Sequence, residues 1–169
     1  MATTTRMLLL GAVSLFGPVN GYQIRRELTS WRVDEWANIK PGSIYHGLAA
    51  LAERGSLRRH DLPDGGRTVA VYEMADPGRQ ELRQLVCAGI LTVNQFNRDE
   101  FHAAFAMGRI VGHSEMLDLL RRRLDRLSQT IVPDVLRSPT PYVPPAALRG
   151  AQLWQAEAAA ELHWLRAVV

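Results

Sequence analysis

Residues 40–74 read KPGSIYHGLAALAERGSLRRHDLPDGGRTVAVYEM, and this stretch decides the fold. Pro41 suits the first position of a helix, because the amide N–H that proline lacks would be unpaired there anyway. Apolar residues then recur at helical spacing: Ile44, Leu48 and Leu51. Gly55 is typical of the residue just after a helix end. The stretch therefore begins with one amphipathic helix.

A β-hairpin is predicted directly after this helix. Ser56–His60 and Arg67–Met74 have the length and composition of short strands, and the second is rich in β-branched and aromatic residues. Between them, Asp64, Gly65 and Gly66 favour a tight turn.

Two further helices are predicted on the N-terminal side. Residues 7–16 are apolar nearly all round, which indicates a buried helix ended by Gly17 and Pro18. Asn20 and Gln23 form a capping-box pattern at the start of the next helix. Three helices followed by a hairpin is the order of a winged helix-turn-helix, so the expected fold class is mainly α with a small β-hairpin (α+β).

The C-terminal half is predicted to be helical and to form a second domain, with the boundaries 1–76 and 77–169. One helix begins at Asp76 and Pro77, with an apolar stripe made of Leu82, Leu85, Val86, Val93 and Phe96. Another helix carries Phe101, Phe105 and Ile110. Residues 138–145 are proline-rich and predict a stiff extended linker, and residues 146–168 predict a last helix.

Between these helices lies the most regular apolar repeat of the chain. Its leucines and isoleucine are spaced 3, 4, 3 and 4 apart, as in the seam of a coiled coil: Leu117, Leu120, Leu124, Leu127 and Ile131. Four arginines flank this seam. Because it covers only about two heptads, two interpretations remain open: pairing of two chains into a dimer, or an ordinary helix pair within one chain.

Composition permits a nucleic-acid partner without requiring one. The chain has 20 basic and 17 acidic residues, and 19 of the basic residues are arginine, the better bidentate donor to phosphate and guanine. A genome that favours arginine codons explains this equally well.

The sequence has no long apolar run and no signal-peptide pattern, and its single cysteine, Cys87, suits a reducing compartment. We therefore expect a cytoplasmic protein with no membrane partner.

Enzyme classes find little support in the sequence. It has no phosphate-binding glycine loop, no Gly-x-Ser-x-Gly and no His-Glu-x-x-His. The five histidines lack metal-ligand spacing, and Cys87 has no resolving partner. We expect no catalytic residues, no bound metal and no cofactor.

The helix that begins at Pro41 has an unusual polar face. Opposite its apolar residues lie small or polar side chains: Gly42, Ser43, His46, Ala49, Ala50 and Glu53. Small side chains let a helix backbone come close to another surface, as a helix in the major groove must do. Ser43 at the helix N-terminus suits a phosphate, and Tyr45 flanks the same face. The alternative is that this face packs against protein.

Several of these residues together resemble the PadR family of transcriptional regulators. The resemblance rests on Leu8–Gly11, on Gly17–Ile24 (GPVNGYQI) and on Lys40–Tyr45 (KPGSIY), and it covers roughly residues 6–80. It implies a homodimeric regulator, usually a repressor, that binds double-stranded DNA at an inverted-repeat operator. The DNA-binding residues expected on this basis are Tyr22, Lys40, Ser43, Tyr45, His46 and Arg67. The alternative is a winged-helix module that binds another protein and no DNA.

The resemblance also implies release of DNA by a small aromatic or drug-like effector. Aromatic residues that could line the effector site are Trp31, Phe101, Phe105, Trp154 and Trp164. The competing interpretation is that these aromatic residues belong to the hydrophobic core.

Overall fold

The computed structural model describes residues 1–94, 98–130 and 145–169. The N-terminal half contains these elements in chain order: α1 (Thr3–Phe16), β1 (Val19–Asn20), α2 (Gly21–Ser30), α3 (Val33–Trp36), α4 (Pro41–Glu53), β2 (Leu57–Asp64) and β3 (Arg67–Met74). The predicted fold class is confirmed: helices dominate, and one small antiparallel sheet accompanies them.

The sheet has three strands in the order β1-β3-β2, and both strand pairs are antiparallel. Asp64 pairs with Arg67 at the hairpin end, so that Gly65 and Gly66 form a two-residue turn with φ of 53° and 82°. Positive φ at both central residues is what this turn type requires, and glycine adopts it without steric cost. The turn holds the hairpin in its register.

The predicted cap of α2 is present. Asn20 Oδ1 accepts a hydrogen bond from the Gln23 amide at 2.9 Å, and the Asn20 amide donates to Gln23 Oε1 at 3.2 Å. Two elements were not predicted: the two-residue strand β1 and the short helix α3. Helix α3 follows Arg32, whose φ is 55°, and the Trp36 indole N–H donates to the Trp31 carbonyl at 2.9 Å.

Helix α1 lies at the centre of the hydrophobic core. Met7, Leu8, Leu9 and Leu10 are fully buried, as their continuous apolar run predicted. Burying each such side chain stabilises the fold by about 1.5–3 kcal/mol. One hydrophobic cluster extends from α1 to the helices of the C-terminal half.

The C-terminal half contains α5 (Asp76–Leu91), α6 (Asp99–Ala106), a 3₁₀ turn (Gly108–Ile110), α7 (His113–Thr130) and α8 (Pro145–Val168). Helix α5 ends at Leu91, so Val93 lies beyond it, and Phe96 lies outside the described residues. Ile110 belongs to the 3₁₀ turn and not to a longer helix. The proline-rich segment lies outside the described residues, except that Pro145 begins α8.

The leucine seam of α7 is partly used within the chain. Leu120 and Leu127 are buried in the core, whereas Leu117 and Leu124 are half-buried. Ile131 lies outside the described residues. Helix α7 packs against α5 and α8 of the same chain. Packing within one chain therefore explains the burial of two of the five seam residues, Leu120 and Leu127.

A buried arginine joins these three helices. Arg123 is only 2% exposed, and its guanidinium donates to Glu161 Oε1 of α8 at 2.7 Å. It also donates to the carbonyls of Ile90 and Thr92, at the C-terminal end of α5, at 2.9 and 2.7 Å. A buried charge is tolerated only when it is paired in this way.

Candidate nucleic-acid interface

The N-terminal turns of α4 present the predicted residues to solvent. Lys40, Ser43, Tyr45 and His46 are all exposed, while Ile44 on the opposite face is buried at 1% exposure. The hydroxyl of Ser43 donates to the Lys40 carbonyl at 2.6 Å, so its oxygen is held at the start of the helix. The helix thus turns its apolar face inward and its short polar side chains outward.

Tyr45 is held in place by its contact with the start of α2. A Cβ atom at Gly21 would lie 2.9 Å from two carbons of the Tyr45 ring, which is closer than such atoms approach. Glycine at this position is therefore what lets the ring pack against α2. Tyr45 stays 41% exposed, and Tyr22 is 60% exposed.

A cleft of about 450 Å³ separates α2 and α4 from the hairpin. Its lining includes Tyr22 and Tyr45 on the helical side, and Asp64, Thr68 and Tyr72 on the hairpin side. A second shallow cleft lies where Ser43 and His46 meet the start of α1, at Met1, Ala2 and Thr5. No sequence pattern predicts this neighbour of the α4 face.

The hairpin carries several charges, and some of them are paired. Arg59 forms an ion pair with Asp61 at 2.9 Å, and this hydrogen bond raises the pKa of Arg59 above its ordinary value. His60 lies 3.2 Å from a Glu73 carboxylate oxygen. Arg67 is exposed beside the turn. Among the described residues no carboxylate lies within ion-pair distance of it, so its charge is available at the tip of the wing.

Three of the predicted effector residues come together elsewhere in the chain. The rings of Phe101 and Phe105 lie 6.0 Å apart, and Trp164 of α8 contacts both edge-on, at 6.3 and 5.2 Å. With Arg98, Glu157 and Glu161 among its other lining residues, this group borders an apolar pocket of about 450 Å³.

The other two predicted effector residues do not line this pocket. Trp31 packs against Phe16, with ring centroids 6.1 Å apart. Trp154 is half-buried in α8. Among the described residues, no group of three or more His, Cys, Asp or Glu side chains is arranged to hold a metal ion. No described helix is both long and apolar enough to cross a membrane.

A winged helix that presents a polar helix face beside an arginine-tipped hairpin has the arrangement typical of DNA-binding transcriptional regulators. Residues 9–84 match the model of the transcriptional regulator PadR-like family. The chain thus carries a PadR-like winged-helix domain, and the resemblance inferred from the sequence is confirmed.

Solved structures give a weaker likeness. The crystal structure of Bacillus subtilis PadR in complex with operator DNA is 20% identical, with 95% of this chain and 97% of that chain covered and a TM-score of 0.44. The PadR-like transcriptional regulator BC1756 from Bacillus cereus is 18% identical, with 95% and 91% covered and a TM-score of 0.37. No curated protein matches the sequence significantly. At these similarities the two structures assign no roles to individual residues of this chain.

Proposed function

We propose that two copies of this chain form a repressor that binds an inverted-repeat operator, with α4 of each copy in successive major grooves. The half-sites would then lie one helical turn of DNA apart, or a multiple of it. Ser43 and His46 face the bases and phosphates of the groove, Tyr22, Lys40 and Tyr45 contact the backbone, and Arg67 of the wing reaches a phosphate or the minor groove.

The observation that supports this proposal best is the position of Tyr45. Its ring packs on Gly21, and the residue is still 41% exposed. The side chain is therefore held beside the exposed start of α4, where it lines the cleft between the helices and the wing. A phosphate contact needs such a fixed donor, because backbone contacts set the register of a protein on DNA.

The helical half supports the proposed dimer. Helix α8 exposes Leu148, Leu153 and Trp164 at 37%, 59% and 37%. On α7, Leu117 and Leu124 retain partial exposure. Apolar side chains of this size gain free energy when a second copy removes them from water.

The aromatic pocket supports the proposed effector response. A planar aromatic molecule would stack against Phe101, Phe105 and Trp164 between α6 and α8. Because α8 also carries the exposed apolar residues, its displacement would change the separation of the two winged helices. A coupling of about 1–3 kcal/mol is typical of such linked sites.

Substitutions on the α4 surface test the DNA contact. Tyr45→Phe removes only the hydroxyl, and Arg67→Ala removes the charge of the wing; each weakens binding to the DNA upstream of the protein's own gene in a gel-shift titration. Arg166→Ala, an exposed arginine of α8, is the matched control and leaves binding unchanged. Circular dichroism spectra confirm that each variant is folded. If the α4 and wing variants bind that DNA as tightly as wild type, the proposed surface is wrong.

The second candidate function is a module that binds another protein through the same exposed face. It predicts no specific shift with any DNA and loss of a partner protein in the same two variants. The exposed cation at the wing tip and the polar start of α4 favour DNA.

A further inference from the structure

The strongest feature that the predicted DNA-binding set leaves out is an arginine of α2, Arg25. It is exposed, and its guanidinium carbon lies 5.8 Å from the centroid of the Tyr22 ring. Among the described residues no carboxylate lies within ion-pair distance of it. Its positive charge is therefore free, and an aromatic ring lies beside it.

Arg25 lies on the face of α2 that also carries Tyr22. Residues three and four apart are neighbours on a helix surface, so Arg25 shares a face with Tyr22 and with Gly21. Gly21 is the residue on which the Tyr45 ring packs. Tyr22 and Tyr45 line the cleft between α2, α4 and the hairpin, and Arg25 lies one helical turn along α2 from Tyr22.

The neighbouring Arg26, in contrast, forms an ion pair. It is bound to Glu27 at 2.7 Å, and this hydrogen bond raises the pKa of Arg26. Its charge is offset by that carboxylate, although its side chain is 64% exposed. The two arginines are adjacent and both solvent-accessible, but only Arg25 is free to neutralise a phosphate.

We propose that Arg25 is a DNA-backbone contact, in which its guanidinium, oriented by the Tyr22 ring, binds one phosphate at the edge of the operator groove. This inference rests on the proposed DNA-binding function. The guanidinium of an arginine is planar and pre-organised, so less conformational freedom is lost per hydrogen bond, and its donors match a phosphate. The attraction of a cation to the face of an aromatic ring favours its position beside Tyr22. The contact adds affinity without adding sequence preference.

The test is the salt dependence of DNA binding by Arg25→Gln, with Arg26→Gln as the matched control. Each lost phosphate contact lowers the slope of log K against log salt by about 0.9. Arg25→Gln should therefore reduce the slope by about one per protomer, and should weaken binding equally on operator and unrelated DNA. Arg26→Gln should leave the slope unchanged. Arg25→Lys, which keeps the charge, should restore most of the slope.

Three results overturn the inference while wild-type binding stands. One is an unchanged slope in Arg25→Gln, and a second is an equal loss in Arg26→Gln. The third is a loss confined to operator DNA that lysine does not restore, because that would make Arg25 a base contact. If the wild-type protein binds no DNA at all, the proposed function itself fails.

Discussion

At the scale of single residues, the proposed interface is held in position by residues that have no polar side chain. The Tyr45 ring lies where it does because Gly21 leaves room for it, and Ile44 anchors the same turn of α4 in the core. Substitution of a residue beneath the interface should therefore alter DNA binding, as substitution of an exposed residue does.

Gly21→Ala tests that dependence. The added methyl group displaces the Tyr45 ring and should weaken operator binding by about 1.5–3 kcal/mol, the net value of one hydrogen bond to a charged group such as phosphate. Combined with Tyr45→Phe, the two losses should not add, because both remove the same contact. Gly150→Ala, where a Cβ meets nothing within 4 Å, is the control and leaves affinity unchanged. Full additivity in a binding titration would contradict this account of Tyr45.

Cys87 gives a second prediction at this scale. Burial, and then the negative charge of Glu115, raise the pKa of the thiol. Since only the thiolate is reactive, iodoacetamide at neutral pH should modify the folded protein much more slowly than the urea-unfolded chain. Equal rates in the two states, followed by mass spectrometry, would show that the thiol is neither shielded nor shifted.

At the scale of elements, a helix cap or a turn that depends on two or three nearby residues could be predicted, whereas very short elements could not. A helix cap is determined by Asn20 and Gln23 alone, and a tight turn by Gly65 and Gly66 alone. Both could therefore be predicted from the sequence. Strand β1 has two residues and α3 has four, which is too short for any periodicity. The burial of Arg123 was also unpredictable, since its partners lie more than 30 positions away in the sequence.

The candidate site, too, could be predicted only in part from the sequence. The exposed start of α4 could be predicted, because Pro41 and the apolar spacing fix which face turns outward. Its neighbours could not, since the contact of Tyr45 with Gly21 depends on how α2 and α4 cross. The grouping of Phe101 and Phe105 with Trp164 likewise depends on the docking of α8.

Arg123 of α7 hydrogen-bonds to both α5 and α8. Arg123→Ala removes the hydrogen bonds to Glu161 and to two carbonyl groups, and leaves Glu161 with the longer contact to Arg98 at 3.9 Å. Breaking such a buried pair costs about 3–5 kcal/mol. The neighbouring Arg122 is exposed, and Arg122→Ala should change stability by no more than about 0.5 kcal/mol. Urea denaturation compares the free energies of unfolding. A similar small loss in both variants would mean that the Arg123 contacts do not stabilise the fold.

At the scale of the whole molecule, the proposed dimer has the most direct consequence for function, because one winged helix alone reads only half of an inverted repeat. Sedimentation equilibrium should give twice the 18.9 kDa of the single chain. Leu153→Glu, at the most exposed large apolar residue of α8, should shift this mass toward the monomer and weaken operator binding. A wild-type mass of one chain at micromolar concentration would contradict the dimer.

The central claim is that the α4 and wing surface binds DNA specifically. It is tested most directly by titrating the wild-type protein against the DNA upstream of its own gene, at two salt concentrations and with an unrelated competitor. We predict a specific shift whose affinity falls steeply with salt, because phosphate contacts release counterions. Binding that is equal on both DNAs, or that does not change with salt, would contradict the claim.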